Sequence, residues 1–317
     1  MQRRERLGLG FAALCALNGA FVPAVAKLTT NRADPLLVAT ATSIVAGVCA
    51  ALLLAVTGEL RRLADRRALP RLVAVGALGT ALAHFLFFSG ALRTTAIETV
   101  LCLQVESVYA LFLARIFLGH PLTPRRLGAV AAIVAGIALA LSPSGISGWL
   151  GVALLLATPL GWQFSHLIVL RGLAGEPPRA LAGARYLFGG AILAAAWVAG
   201  GGIERLPQPA ELARLVPLWV LQGALLSFVG TLFWYETITR LDLARSTAIV
   251  VPSVPLLSLG ASFLLLGEVA RPRQWLGLAL TAAGVLAFVT APHTTAPDLP
   301  LGDHETPLAA TDSEPAI

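Results

Sequence analysis

The chain has 317 residues, of which 57% are hydrophobic and only 13% charged, and its mean hydropathy is +0.80. Soluble domains carry about 25% charged residues, and so small a charged fraction cannot coat this much apolar surface. A cytosolic enzyme, a disordered chain and a nucleic-acid module are excluded, and lipid is the solvent for most of the chain.

A helix crosses the hydrocarbon core with about 20 apolar residues. Apolar runs between charges and turn formers predict ten such spans, over 7–27, 35–57, 70–92, 96–117, 124–141, 148–170, 179–199, 214–236, 246–266 and 272–291. Asn31-Arg32-Ala33-Asp34-Pro35, Ser142-Pro143-Ser144-Gly145 and Gly200-Gly201-Gly202 supply the loop chemistry between them. The first span follows Arg3, Arg4 and Arg6 as a secretory signal would, with Ala24-Val25-Ala26 as a small-residue cleavage pattern. A signal core has about 7–15 apolar residues, and this longer run reads as a retained span. The connections are too short for a soluble domain, so the fold class is an all-α integral membrane bundle. Residues 292–317, with Asp298, Asp303, Glu305, Asp312 and Glu314 and no Lys or Arg, read as a disordered acidic tail.

Basic residues favour the cytoplasmic side of a membrane protein. With the amino terminus inside, 16 of the 23 Lys and Arg residues, among them Arg61, Arg62, Arg66, Arg67 and Arg71, fall on that side. Both termini are therefore expected in the cytoplasm, and the net charge of +6 is an orientation signal that requires no nucleic-acid partner. Cys15, Cys49 and Cys102 all lie within spans and read as small packing residues.

The two halves of the chain, 7–141 and 148–291, resemble each other. Leu118-Gly119-His120 matches Leu266-Gly267-Glu268, Thr123-Pro124-Arg125 matches Arg271-Pro272-Arg273, Lys27 meets Arg171, Asn18 meets Trp162, and Pro35 meets Pro178. Each half holds five spans, an odd number, so the second would enter the membrane from the opposite face. Inverted repeats place a substrate site near the midplane, between halves that rock.

Glu106-Ser107 followed by Gly119-His120, and Val254-Pro255 followed by Gly267-Glu268, resemble a pattern of the drug/metabolite transporter superfamily, specifically its EamA-type members. Trp162 and Arg171 in the sixth span and Arg185 in the seventh fit the same pattern. Ser107, His120, Asn18 and Thr42 depart from it, standing where proline, glutamate, tryptophan and arginine are common. The resemblance implies ten helices as two inverted five-helix repeats, cytoplasmic termini, and a central cavity through which small metabolites, often amino acids or related compounds, are exported.

An ionisable side chain at mid-membrane is costly and marks a functional candidate. Glu106, near the centre of the fourth span, is the sharpest. His84, in the third, differs from it in depth by roughly 5 Å at a rise of 1.5 Å per residue, and the two could pair across a cavity. Gln104 points away from Glu106. Asn18, Trp162, Gln163 and Tyr235 are expected to shape the pocket, and Pro252 and Pro255 to bend the ninth span for gating. Glu98 reads as structural and able to reach water at the outer end, His166 as a packing histidine, and Trp149, Trp219 and Trp275 as interface residues. There is no Walker pattern for ATP, no nucleophile–base set for catalysis, no metal-ligand spacing, and no cofactor is implied. The reading is a secondary transporter of an amino acid, amine or related metabolite in the cytoplasmic membrane, working by alternating access, with the proton as a candidate coupling ion. The alternative is a membrane-embedded enzyme or lipid-handling protein on the same bundle.

Overall fold

The computed structural model describes residues 3–118, 122–141, 145–173, 175–241 and 243–290. His120, the loop at 142–144 and the tail 292–317 lie outside them, as does the side chain of Tyr235. Asp34, in the sequence read only as part of a loop, caps the second helix, which starts at the expected position 35. Its carboxylate accepts from Leu36 N at 2.9 Å and Leu37 N at 3.2 Å, with Pro35 in the first turn.

The helices, in chain order, are α1 (Arg3–Thr30), α2 (Pro35–Val56), α3, α4, α5 (Pro124–Ala140), α6 (Gly145–Gly172), α7 (Pro178–Ala199), α8, α9 (Leu243–Leu266) and α10 (Pro272–Val289). Three of them are compound. α3 runs as Leu69–Gly76, a π-helical stretch Ala77–Leu82, and Ala83–Arg93. α8 runs as Pro209–Val220, a π-helical stretch Leu221–Val229, and Gly230–Arg240. α4 is two segments, Ala96–Leu103 and Glu106–Leu118. The two π-helical stretches begin at Ala77 and Leu221, 144 positions apart, the same offset that matches Lys27 to Arg171.

The fold is all-helical among the described residues, and eight of these helices are long and apolar enough to cross a membrane: all but α5 and α10. Those two have 17 and 18 residues and pack on each other. Glycine is what lets them approach. A Cβ on Gly277 would lie 2.4 Å from the Gly136 carbonyl oxygen, and one on Gly136 would lie 2.6 Å from that of Gly277. Small residues at such crossings give membrane helices the close packing that lipid cannot drive by itself. Gly277→Ala forces the backbones apart and should cost about 1–3 kcal/mol, the range for overpacking. Thermal melting of the detergent-solubilised protein would then shift down, and an unchanged curve would refute the close crossing.

The loops gather at two ends. At the end carrying Arg3, Arg179 meets Glu59 at 3.1 Å, Arg62 meets Glu176 at 3.6 Å, and Arg71 donates to Gly172 O at 3.2 Å. At the end carrying Lys27, the ties run from helix to helix through buried or half-buried groups. Lys27 Nζ on α1 donates to Leu92 O on α3 at 2.8 Å. The Glu268 carboxylate, just past α9, accepts from Ala96 N at 3.1 Å and Ile97 N at 3.2 Å in the first turn of α4. A carboxylate there satisfies two donors that a helix start leaves open and lies at the positive end of its dipole. Thr95 and Glu98 close a capping box on the same turn. Glu98 is thus structural as expected, but it is buried and does not reach water.

Candidate functional site

The break in α4 sets the site. Gln104 N bonds Leu101 O and Val105 N bonds Cys102 O, each at 3.2 Å, a tightened three-residue turn in place of the α-helical ladder. Glu106 is therefore the first residue of the lower segment, where a helix start stabilises an anion. Its carboxylate accepts from Gln163 Nε2 on α6 at 3.1 Å. Gln104 is directed elsewhere, as its spacing predicts, buried with Nε2 toward Val100 O.

The π-helical stretch of α3 supplies the second component. Such a stretch replaces the ordinary i to i−4 ladder with wider turns and is common at functional sites. Gly79 O, within it, accepts both Nε (3.2 Å) and Nη2 (2.9 Å) of Arg185 from α7. The contact requires glycine, because a Cβ at position 79 would lie 2.6 Å from Ser165 Oγ and 3.2 Å from Arg185 Nε. Arg185 is the charged neighbour that Glu106, His84 and His166 have in common.

The predicted residues divide. Glu106 and Gln163 are brought together. His84 does not pair with Glu106: its Nδ1 lies 2.9 Å from Ser43 Oγ on α2, and its ring meets Phe88 edge-on and Tyr186 at 6.3 Å. The reason is lateral position, since α3 presents His84 toward α2 and α7 while α4 presents Glu106 toward α6. Asn18 belongs to a different junction, donating to Leu225 O in the π-helical stretch of α8 at 2.9 Å. Tyr186 donates to Ser227 O of that stretch at 3.1 Å. The two π-helical stretches thus have a common chemistry, each offering a carbonyl to a polar side chain from another helix.

Trp162 is half-buried, and its indole N–H has no hydrogen-bond partner among the described residues. Pro252 and Pro255 are buried inside α9, which continues through both. Two expectations are corrected. His166 is not packed away; its side chain is accessible within the bundle, with Arg185 as its charged neighbour. Trp219 is not an interface residue, because it is only 7% exposed in a core with Leu37, Val38 and Phe88. Arg185 was visible in the sequence as a charge inside an apolar run that fits the family pattern, but residue number does not give the neighbours it meets. The π-helical stretches have no counterpart in residue pattern.

These features define a multi-pass helical membrane protein with charged and amide side chains gathered inside its bundle. The EamA-like transporter family model matches the chain twice, over residues 6–142 and 149–290, and the chain belongs to that family. A probable terminal-alkyne amino-acid exporter of Streptantibioticus cattleyicolor is 28% identical over 228 residues, covering 69% of this chain and 73% of that protein. A solved crystal structure, described only as that of a protein, superposes with a TM-score of 0.62 at 18% identity. The match covers 90% of this chain and 96% of that one, and it bears on fold alone. The protein is a membrane transporter of small metabolites.

Proposed function

We propose that the protein exports a small zwitterionic metabolite, an amino acid or a close relative, across the cytoplasmic membrane by alternating access. One observation carries the reading. Glu106 and Arg185 are opposite charges, coupled inside the bundle yet not joined as an ion pair; Glu106 accepts from Gln163 and Arg185 donates to Gly79 O. A ligand carrying both an ammonium and a carboxylate completes such a site, the ammonium on Glu106 and the carboxylate on the guanidinium. The amino-acid exporter among its relatives supports the same class of cargo.

In this reading the chain is ten spans in two inverted five-helix repeats, 7–141 and 148–291. The matched π-helical stretches at Ala77 and Leu221 support it. The Arg3 end, which carries most of the basic residues, faces the cytoplasm. The ties of Lys27 and Glu268 then hold the outer end shut, and movement of one half against the other must break them. Pro252 and Pro255 lie in α9, which ends at that lock. His84, Asn18, Trp162 and Tyr235 shape the path, and the proton is the coupling ion.

Counterflow in proteoliposomes loaded with neutral amino acids tests the proposal. Labelled amino acid should accumulate against the preloaded pool and be blocked by an excess of the unlabelled compound. No accumulation across a panel of neutral amino acids would overturn it.

A further inference from the structure

A cavity of about 350 Å³ opens at the Lys27 end, among the start of α2, the end of α3, the end of α7 and the loop that follows it. Pockets of about 300–1,000 Å³ hold small ligands, and this one lies away from Glu106 and Gln163, which do not line it. Its chemistry is divided. The wall is mostly apolar, with Phe85, Leu36 and Trp197, and Phe85 is 42% exposed. The rim carries two arginines, Arg93 and Arg205.

Both guanidinium groups are held in place, and neither forms an ion pair among the described residues. Arg93 donates through Nη1 to Ser89 O one turn back in α3. Arg205 donates through Nε to Gly201 O at 3.3 Å and through Nη2 to Gly200 O, which folds it over the end of α7. The turn that carries it is shaped for that purpose. Gly201 has φ +73°, a conformation that favours glycine. Gly202 lies flat against the Trp197 indole, where a Cβ would come within 2.3 Å of the ring. Asp34, the one carboxylate lining the cavity among the described residues, is committed to Leu36 N and Leu37 N at the start of α2; the Glu204 carboxylate lies beside Arg205 at Gly201 but does not line the cavity. Each arginine has further N–H donors, and guanidinium forks match phosphate oxygens.

We propose that this cavity binds a phospholipid with an anionic headgroup. The phosphate sits between Arg93 and Arg205, and the glycerol backbone and first methylenes lie against Trp197 and Phe85. The apolar wall and the exposed Phe85 ring argue for a lipid rather than a soluble anion. Charge-assisted hydrogen bonds from a guanidinium to a phosphate act in the same way in either leaflet. The inference rests on the chain spanning a membrane and is independent of what is transported.

Native mass spectrometry of the full chain in detergent tests it, with phosphatidylglycerol, phosphatidylcholine or inorganic phosphate as the probe. The wild type should retain one phosphatidylglycerol selectively over phosphatidylcholine, and millimolar phosphate should not displace it. Arg93→Gln with Arg205→Gln should weaken retention roughly thirty-fold, about fivefold per charge. Arg66→Gln with Arg67→Gln, at the opposite end, should not. Arg93→Lys with Arg205→Lys keeps both charges and should keep the lipid, which separates loss of charge from misfolding. Equal retention by the Gln pair, equal retention of phosphatidylcholine, displacement by phosphate, or loss of lipid in the Lys pair would each overturn the proposal.

Discussion

Arg185→Gln should reduce counterflow at least a hundred-fold, the largest single effect expected in this protein. The variant removes two charge-assisted hydrogen bonds to Gly79 O, and bonds to charged groups contribute about 1.5–3 kcal/mol each. Among the described residues it also removes the positive charge that couples to Glu106, leaving that side chain inside the bundle with an amide partner. At about 1.4 kcal/mol per factor of ten, loss of the carboxylate anchor alone accounts for one to two decades in substrate affinity. Arg185→Lys keeps the charge but not the fork, so it should recover part of the flux and little of the fixed geometry. Melting curves taken alongside transport separate the site from the scaffold. Wild-type flux in a well-folded Arg185→Gln protein would refute the anchor.

The sequence was most informative where lipid is the judge. Span limits such as 35–57 and 179–199 lie within one or two residues of α2 and α7, because in hydrocarbon every backbone group must bond internally and long apolar runs have no other option. The Asp34 cap on α2 is an equally local feature, although residues 31–35 read only as a loop in the sequence. The site was legible only in part. Glu106 was found because a mid-span carboxylate is expensive, and Gln163 because it is an amide in an apolar run. Their partnership with Arg185 depends on the break at Gln104 and Val105 and on a π-helical carbonyl at Gly79, and both are tertiary outcomes. His84 illustrates the same limit. Depth along a helix follows from residue number, whereas azimuth depends on which neighbour each helix packs against, and His84 turned to Ser43. His166 and Trp219 exchanged their expected environments for the same reason.

Glu106→Gln is expected to lower flux by about ten- to a hundred-fold and to remove its dependence on pH. The substitution preserves size and, through the amide oxygen, the bond to Gln163 Nε2, so packing of α4 against α6 should be little changed. What it removes is the anion. The substrate ammonium loses a charge-assisted partner, and such a partner contributes about 1.5–3 kcal/mol, which sets the size of the fall at 1.4 kcal/mol per decade. Arg185 is then left with His84 and His166 as its titratable neighbours. A carboxylate at the head of a broken helix can bind a proton or an ammonium in the same place, so a single group couples the two by competition, with no relay required. That argument makes the pH profile the decisive readout. In proteoliposomes with an imposed proton gradient, wild-type flux should respond to the gradient and Glu106→Gln flux should not, while Glu106→Asp should retain the response at reduced rate. A Glu106→Gln protein that still follows the gradient would assign proton coupling to another group, and His84 and His166 would be the next residues to replace.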